Sequence, residues 1–272
     1  MPDVVTRKSR QEIDKMRRAG RLVAEVLALV ESELRPGITT GELDRLAERH
    51  LRAAGATPSF KGYLGGGHYG RGPGAFPASL CISIDDQVVH GIPSERDIQE
   101  GQLVSVDAGA IVDGWHGDAA RTFVVGPVSA EARELVDTTR LALMAGIAAA
   151  QPGSRIGDIG AAIEDIAMEK GYGIVRQFVG HGIGTSMHEE PQVPNFRSGN
   201  GGRRIEAGMC LAIEPMFTLG GDAVGVEADG WTVVTRDGSL AAHFEHTIAI
   251  TEGGPEILTS VGSPLVAGSR SI

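Results

Sequence analysis

The sequence is poor in cysteine and in positive charge, and it lacks a long apolar segment. Two cysteines, Cys81 and Cys210, among 272 residues are too few for the disulfide framework of a small secreted protein. Lys and Arg total 25 against 35 for Asp and Glu, and the formal charge of −10 argues against a general nucleic-acid binder. The longest apolar run, Leu141 to Ala150, is about half as long as a membrane span.

The amino-terminal stretch MPDVVTRKSRQEIDKMRRAG also lacks the apolar core of a secretory signal, because charged residues are spread along it. We therefore expect a cytoplasmic protein with no membrane contact and no specific nucleic-acid partner.

Several catalytic motifs are absent as well. The sequence has no Gly-Lys pair, which excludes a P-loop, and no Gly-x-Ser-x-Gly, which argues against a serine nucleophile elbow. The metalloprotease pattern H-E-x-x-H fails at His188, because the residue four positions later is Gln192. The glycine-rich stretch 62–75 formally contains G-x-G-x-x-G, but no strand precedes it, so it predicts a flexible loop.

Apolar periodicity predicts four helices and six strand regions. The helices are expected over 11–30, 40–55, 130–150 and 156–170, with Thr40 as the N-cap of the second. Short runs with β-branched residues predict strands over 79–92, 102–112, 119–126, 209–217, 231–236 and 243–251.

The order of these elements repeats along the chain, and so do short motifs. Pro36-Gly37-x-x-x-Gly41-Glu42-Leu43 is matched by Pro152-Gly153-x-x-x-Gly157-Asp158-Ile159, and His-Gly-Ile occurs at His90 and again at His181. Each His-Gly-Ile is followed by an apolar strand with an acidic residue, Asp107 in the first case and Glu214 in the second. The repeat predicts two similar α/β halves around a shared cleft.

Four acidic residues of the predicted strands have small neighbours on their own faces: Asp107, Asp118, Glu214 and Glu245. Strand alternation places Asp107 on the face opposite Val104 and Val106. Asp118 is expected to open a strand, and Glu245 to lie inside one. Unpaired buried carboxylates are costly, so four together favour a cavity that binds two divalent cations over structural ion pairs.

A histidine completes this candidate metal site. His181 lies in Gly-His181-Gly-Ile-Gly, a backbone with room for close approach to a cluster. One imidazole nitrogen among carboxylate oxygens favours Mn²⁺, Fe²⁺ or Co²⁺ over a thiolate zinc site.

Five motifs around these residues carry a family resemblance. They are Asp107 followed by Gly-Trp-His-Gly-Asp118, Gly-His181-Gly-Ile-Gly, His188-Glu-Glu-Pro, Ile-Glu214-Pro-Met and Phe-Glu245-His-Thr-Ile. Together with His90-Gly-Ile-Pro and Asp-Gly-Trp-Thr-Val, they resemble type I methionine aminopeptidases of the minimal bacterial form, over nearly the whole chain. The resemblance implies metal-dependent removal of N-terminal methionine from nascent chains whose second residue is small.

The same resemblance implies the pita-bread fold, an α/β (α+β) architecture of two pseudo-symmetric halves around a central antiparallel sheet and a metal cleft. We expect one catalytic domain over 1–262, with a first half over about 9–128 and a second half over about 129–260. Residues 263–272 are expected to be a disordered tail.

Roles for individual residues follow from the resemblance alone. It implies that two divalent ions are held by Asp107, Asp118, His181, Glu214 and Glu245. Glu214 would transfer a proton, His188 would hydrogen-bond the scissile carbonyl or the oxyanion, and His90 would contact the substrate amide or the leaving nitrogen. The residues implied for a methionine-sized pocket are Cys81, Phe76, Met187, Trp231 and Tyr63.

Two other functions stay open at this point. An aminopeptidase P or prolidase would use the same metal ligands, and a non-catalytic pita-bread module would bind peptides without cleaving them. The expected partners are nascent polypeptide N-termini, and the chain is expected to be a monomer. A basic cluster could touch the ribosome transiently, although a solvated helix face is the simpler interpretation; it comprises Arg7, Lys8, Arg10, Lys15, Arg17, Arg18 and Arg21.

Overall fold

The computed structural model of the protein describes residues 5–64 and 74–261. Most of the predicted glycine-rich loop and the predicted tail therefore lie outside the described residues. Within the described part, none of the helices has both the length and the apolar character needed to cross a membrane.

Four α-helices form in the described residues, close to the predicted ranges. They are α1 (Arg10–Glu33), α2 (Thr40–Ala53), α3 (Ala130–Ala149) and α4 (Ile156–Lys170). The predicted N-cap Thr40 is wrong by one position, because Thr39 accepts the hydrogen bond from the Glu42 backbone and Thr40 is already helical. The Glu42 carboxylate in turn accepts from the Thr39 N–H, which completes a capping box.

The helix starts of the two halves are built in the same way. The N–H of Gly37 donates to the carbonyl of Ile98, and the N–H of Gly153 donates to the carbonyl of Ile205, both at 2.8 Å. Both glycines have a positive φ, 86° and 93°. Matching isolated bridges, Thr39 with Asp97 and Arg155 with Arg204, follow these turns. The sequence repeat is therefore a structural repeat.

Fifteen strands are present in the described residues, several of them only two or three residues long. Those of the first half are β1 (Thr57–Pro58), β2 (Leu80–Ile84), β3 (Gln87–Val89), β4 (Leu103–Val112) and β5 (Trp115–Val124). Those of the second half are β6 (Gly173–Ile174), β7 (Gly180–Gly182), β8 (Glu189–Val193), β9 (Cys210–Ile213), β10 (Met216–Thr218), β11 (Val224–Val226), β12 (Val233–Thr235), β13 (Ala241–His243), β14 (His246–Thr251) and β15 (Gly254–Ile257).

Every strand pair is antiparallel, and the strands form several ladders. One sheet has the order β1-β4-β2 with β5 on β4, and another has the order β15-β14-β9-β7-β8. Two smaller sheets have the orders β13-β10-β6 and β11-β12-β3. The two larger sheets meet where Ala120 and Glu245 exchange backbone hydrogen bonds, with N–H to O distances of 3.3 and 2.9 Å. Backbone hydrogen bonding thus extends from the first half to the second at Glu245, a candidate metal ligand.

Each half has its own apolar core beneath its helices. Val104 and Val106 pack in the first core with residues of α1 and α2, as the alternation of β4 predicted. Leu211 and Ile213 pack in the second core with residues of α3 and α4. The opposite faces of the two sheets, directed away from the helices, carry the small and acidic residues. The cleft therefore lies between the two cores.

Most of the basic cluster is exposed, including Arg10, Arg18 and Arg21 of α1, as a solvated helix face predicts. Lys8 precedes α1 and is 7% exposed, and Arg17 donates to the carboxylate of Glu256 at 2.8 Å. Lys8 is buried and paired, as a charged group inside a protein must be, whereas the Arg17 side chain is 29% exposed.

Candidate active site

A cavity of about 770 Å³ lies between the two larger sheets. It brings together every residue that the sequence predicted for the site. They are His90, Asp107, Asp118, His181, His188, Glu214 and Glu245, with the pocket residues Tyr63, Phe76, Cys81, Met187 and Trp231.

The first two carboxylates come from neighbouring strands of the first half. Asp107 pairs with Ala120, and Asp118 pairs with Gly109, in the β4–β5 ladder. The prediction that Asp118 opens a strand is wrong, because β5 already begins at Trp115 after a tight turn that extends the ladder. This longer pairing fixes both carboxylates on rigid, central backbone.

The other two carboxylates flank strands of the second half. Glu214 follows β9 directly, and the next residue, Pro215, has no N–H with which to continue a ladder. Glu245 precedes β14 instead of lying inside a strand as predicted, because its backbone pairs with Ala120 of β5. Thr247 accepts from the N–H of Asp118 and donates to its carbonyl, at 3.0 and 2.8 Å, which secures this contact.

His181 occupies the centre of β7, between β8 and β9. Its Nδ1 lies 2.8 Å from the carbonyl of Gly182. Because a carbonyl only accepts, the proton is on Nδ1 and the Nε2 lone pair is free, 3.6 Å from the Glu214 carboxylate. Ligand atoms of Asp118, His181 and Glu245 all lie within 4.8 Å of one another.

Burial and mutual repulsion disfavour ionisation of these carboxyl groups. Burial raises the pKa of Asp107 to about 7. Burial, followed by the charges of neighbouring carboxylates, raises the pKa values of Asp118, Glu214 and Glu245 well above their usual range. Burial, with His188 nearby, lowers the pKa of His181 to about 3, which keeps its imidazole neutral and able to bind a metal.

Some buried carboxylate oxygens of this cluster lack hydrogen-bond partners, which indicates whether cations fit there. Buried oxygens of Asp107, Asp118 and Glu245 have no hydrogen-bond partner among the described residues. A buried polar atom without a partner is costly, and a coordinated cation supplies the missing interaction. Carboxylate oxygens with one neutral imidazole are donors that divalent metals accept. The residues present therefore fit divalent cations.

Comparison with known proteins agrees with this chemistry. Residues 14–252 match the model of metallopeptidase family M24. The chain belongs to this family. As an M24 metallopeptidase it is an enzyme that uses divalent metal, and its fold is the pita-bread fold that the sequence predicted.

Two methionine aminopeptidases and a prolidase are similar to this M24 chain. It is 49% identical to a methionine aminopeptidase of Clostridium acetobutylicum, over 93% of this chain and 97% of the relative. It matches the crystal structure of a methionine aminopeptidase of Thermotoga maritima with a TM-score of 0.89 and 41% identity, covering 95% of this chain and all of that one. A prolidase of Pyrococcus furiosus shares the fold at 23% identity and a TM-score of 0.73, covering 94% of this chain and 66% of that one.

Two further histidines face the cavity of this M24 enzyme. The Nδ1 of His188 lies 2.7 Å from the hydroxyl of Tyr63, and its ring centroid lies 4.2 Å from that of His181. His90 has a φ of 61°, a left-handed conformation that few residues other than glycine adopt. Burial lowers the pKa of each, to about 4, so both rings are neutral at physiological pH.

A pocket with aromatic and sulfur-containing walls adjoins the carboxylates. The rings of Phe76 and Trp231 pack edge to face at 5.2 Å, and Met187 and Cys81 belong to the same apolar cluster. Cys81 is the register partner of Asp107, so pocket and metal cluster share one strand pair.

Sequence reasoning missed two aromatic walls, Phe60 and Phe178. Phe60 follows β1, and Phe178 packs against His90 with ring centroids 5.4 Å apart. Neither lies in a motif, and only the pairing of distant strands brings them to the cavity.

Proposed function

We propose that this enzyme hydrolyses the peptide bond after an N-terminal methionine, in chains whose second residue is small, with two divalent cations. The observation that carries this proposal is the register pair of Cys81 and Asp107. It sets a pocket suited to a flexible thioether directly beside the carboxylate cluster. The identity to methionine aminopeptidases over nearly the full chain supports the same assignment.

The number of cations follows from charge. Four carboxylates carry four negative charges when ionised, which two divalent cations neutralise. We assign these cations to Asp107, Asp118, His181, Glu214 and Glu245, and expect Mn²⁺, Fe²⁺ or Co²⁺ to serve. When bound, they polarise the scissile carbonyl and make water a nucleophile at neutral pH.

Glu214 is the group assigned to proton transfer. Its carboxylate lies at the end of β9 within the cavity, and Asn195 donates to its backbone carbonyl at 2.9 Å. This bond holds the backbone at Glu214, and a carboxylate in the cavity can accept a proton from the attacking water and deliver it to the leaving amine.

His188 is assigned to the scissile carbonyl oxygen. When the Tyr63 hydroxyl donates to Nδ1, the imidazole proton lies on Nε2 and can be donated to the substrate. The ring is neutral at physiological pH, and the hydrogen bond that it donates strengthens because negative charge develops on the acceptor oxygen.

His90 lies between the pocket and the catalytic cluster. Its ring packs edge to face against Phe178 and Trp231, at 5.4 and 6.4 Å. We assign it to the substrate amide or the leaving nitrogen, next to the methionine side chain. The substrates would be nascent polypeptides in the cytoplasm, with the enzyme acting as a monomer.

The proposal is tested by amino-acid release from Met-Ala-Ser and from Ala-Pro-Ala. Chelator-stripped protein is assayed with and without added Mn²⁺, Fe²⁺ or Co²⁺. Methionine release that depends on metal is the expected result. Release from the proline peptide alone would identify an aminopeptidase P, and a protein that binds no metal and cleaves neither peptide would be a binding module.

A further inference from the structure

Lys8 is buried in a segment that contributes nothing to the cavity lining. Its side chain is 3% exposed, and it lies two positions before the first residue of α1. Lysine is among the residues least often buried, and it is stable inside a protein only when paired. The partner of Lys8 therefore indicates why the chain places an ammonium group here.

That partner is Glu189, the residue after His188. The Nζ of Lys8 donates to Oε2 of Glu189 at 2.7 Å, and the Thr6 hydroxyl donates to the same oxygen at 2.7 Å. The backbone of Lys8 is anchored separately, because its N–H donates to the carbonyl of Gly208 at 2.7 Å. Hydrogen bonds from Lys8 and Thr6 outweigh burial and lower the pKa of Glu189, so the carboxylate is ionised.

The other oxygen of Glu189 holds the loop that carries His188. Oε1 accepts from the N–H of Ser186 at 3.2 Å. The loop is closed tightly around the ion pair: a Cβ on Gly184 would lie 2.5 Å from Oε1 of Glu189 and 2.6 Å from Cε of Lys8. Met187, His188 and Glu189 of this loop line the cavity.

We propose that Lys8 is a positioning residue for His188, acting through the Glu189 carboxylate and the loop 184–189. The inference rests on the proposed function, in which His188 donates a hydrogen bond to the scissile carbonyl. Tyr63 constrains the imidazole from one side, and the Lys8–Glu189 pair constrains its backbone from the other. Displacing the ring would weaken the bond to the developing oxyanion, while the pocket residues outside this loop, Phe76, Cys81 and Trp231, stay in place.

Arg7 provides a matched control. It is the neighbouring cation of the same segment, but its pair with Glu206 is exposed, with side-chain exposures of 60% and 45%. Exposed pairs of this kind contribute little to a structure. Removal of the Arg7 charge should therefore leave the His188 loop unchanged.

The first test compares Lys8→Met, Lys8→Arg and Arg7→Met in metal-loaded enzyme. We expect Lys8→Met to lower kcat by about tenfold or more with little change in KM, since small displacements of catalytic groups have effects of this size or larger. Lys8→Arg should restore most of the activity, and Arg7→Met should match the wild type. An unchanged kcat in Lys8→Met would overturn the proposal.

A double-mutant cycle separates positioning from general destabilisation. In a His188→Ala background, Lys8→Met should lower kcat by less than about twofold, because the group that it positions is gone. An equal loss in both backgrounds would show that Lys8 acts elsewhere. If Lys8→Met does not fold, Thr6→Val removes one hydrogen bond from the same carboxylate and enters the same cycle.

Imidazole NMR provides a readout that does not depend on activity. We expect Lys8→Met, and not Arg7→Met, to shift the ring resonances of His188. Unchanged resonances would overturn the role of Lys8 even if the wild type released no methionine, a result that by itself would contradict only the proposed function.

Discussion

The first and second halves share their scaffold but use the same tripeptide in different ways. His181 and Gly182 lie in β7, where the Gly182 carbonyl holds the proton on Nδ1 of His181 and leaves Nε2 directed to the carboxylates. His90-Gly-Ile follows β3, where a left-handed backbone turns the imidazole toward Phe178 and the pocket. Equivalent residues of a repeat thus acquire different chemistry when the backbone conformation at the histidine differs.

Gly91 explains part of this difference. A Cβ at this position would lie 2.2 Å from the carbonyl oxygen of Ile82, so only glycine allows the chain after His90 to approach β2. At the equivalent Gly182, a Cβ would lie 2.2 Å from the carbonyl of Glu190 in β8. Glycine is required at this position in both halves, but Gly91 packs against β2 and Gly182 packs against β8.

The comparison predicts its largest effect at His181. His181→Ala should lower kcat/KM by about a thousandfold, because weaker metal binding removes several kcal/mol of transition-state stabilisation. Metal content measured by atomic emission after dialysis should fall. Full metal content together with full activity would show that His181 is not a ligand.

A smaller effect is predicted at His90. His90→Asn, which tolerates the left-handed backbone, should lower kcat by about a hundredfold, within the range of general acid–base groups. Its metal content should equal that of the wild type. Loss of metal from this variant would show that His90, like His181, helps to bind metal, and would contradict the different roles assigned to the two histidines.

The shared carboxylate cluster predicts a pH dependence of stability for chelator-stripped protein. The folded pKa of Asp107, about 7, exceeds its unfolded value, so the folded state binds more protons between about pH 4 and 7. The raised pKa values of Asp118, Glu214 and Glu245 act in the same direction. The lowered pKa values of the buried histidines His90, His181 and His188 act in the opposite direction, but only below their unfolded pKa of about 6.5. The contribution of the carboxyl groups to stability is therefore largest at low pH and is lost as pH rises through 7, whereas the contribution of the histidines is lost as pH falls below about 6.5.

Thermal unfolding checks this sign. The Tm of stripped protein should be several degrees higher at about pH 6.5, where the histidines are only about half protonated in the unfolded state, than at pH 8, since 1 kcal/mol corresponds to about 2–4 °C in a chain of this size. Added Mn²⁺ should raise the Tm most at pH 8, because cations stabilise the ionised carboxylates. A stripped protein that is more stable at pH 8 would contradict the burial of these groups.

The smallest effect concerns the repeated turns. Gly37→Ala and Gly153→Ala should each lower the Tm by about 2–4 °C without changing kcat. An alanine in the left-handed backbone conformation lowers the free energy of unfolding by about 1 kcal/mol. A Cβ at either position meets nothing within 4 Å, so backbone strain alone acts. Gly199→Ala, with open space and no positive φ, is the control. Unequal losses would show that the two turns are not equivalent.

Local signals in the sequence were sufficient for much of the fold. The stripe of apolar residues predicted all four helices, and alternation in β4 predicted that Asp107 faces away from Val104 and Val106. The capping position at Thr39 was missed because Thr39 and Thr40 are equally suited to cap by type, and only the backbone distinguishes them.

Features that depend on distant pairing could not be predicted locally. The cross-sheet pair of Ala120 with Glu245 moved Glu245 out of its predicted strand, and the partner of Lys8 lies 181 positions away. His90 has no sequence signal for its left-handed backbone beyond the glycine that follows. The carboxylates could be recognised because acidic residues in apolar strands need an explanation, whereas a lysine near the chain start does not.

The hydrogen bonds between Ala120 and Glu245 join two incomplete parts of the candidate metal site. Asp107 and Asp118 come from the first half, and the three other candidate ligands come from the second. Neither half contains a complete set. Either half produced alone would therefore lack ligands, and the candidate metal site exists only while the two halves remain packed together.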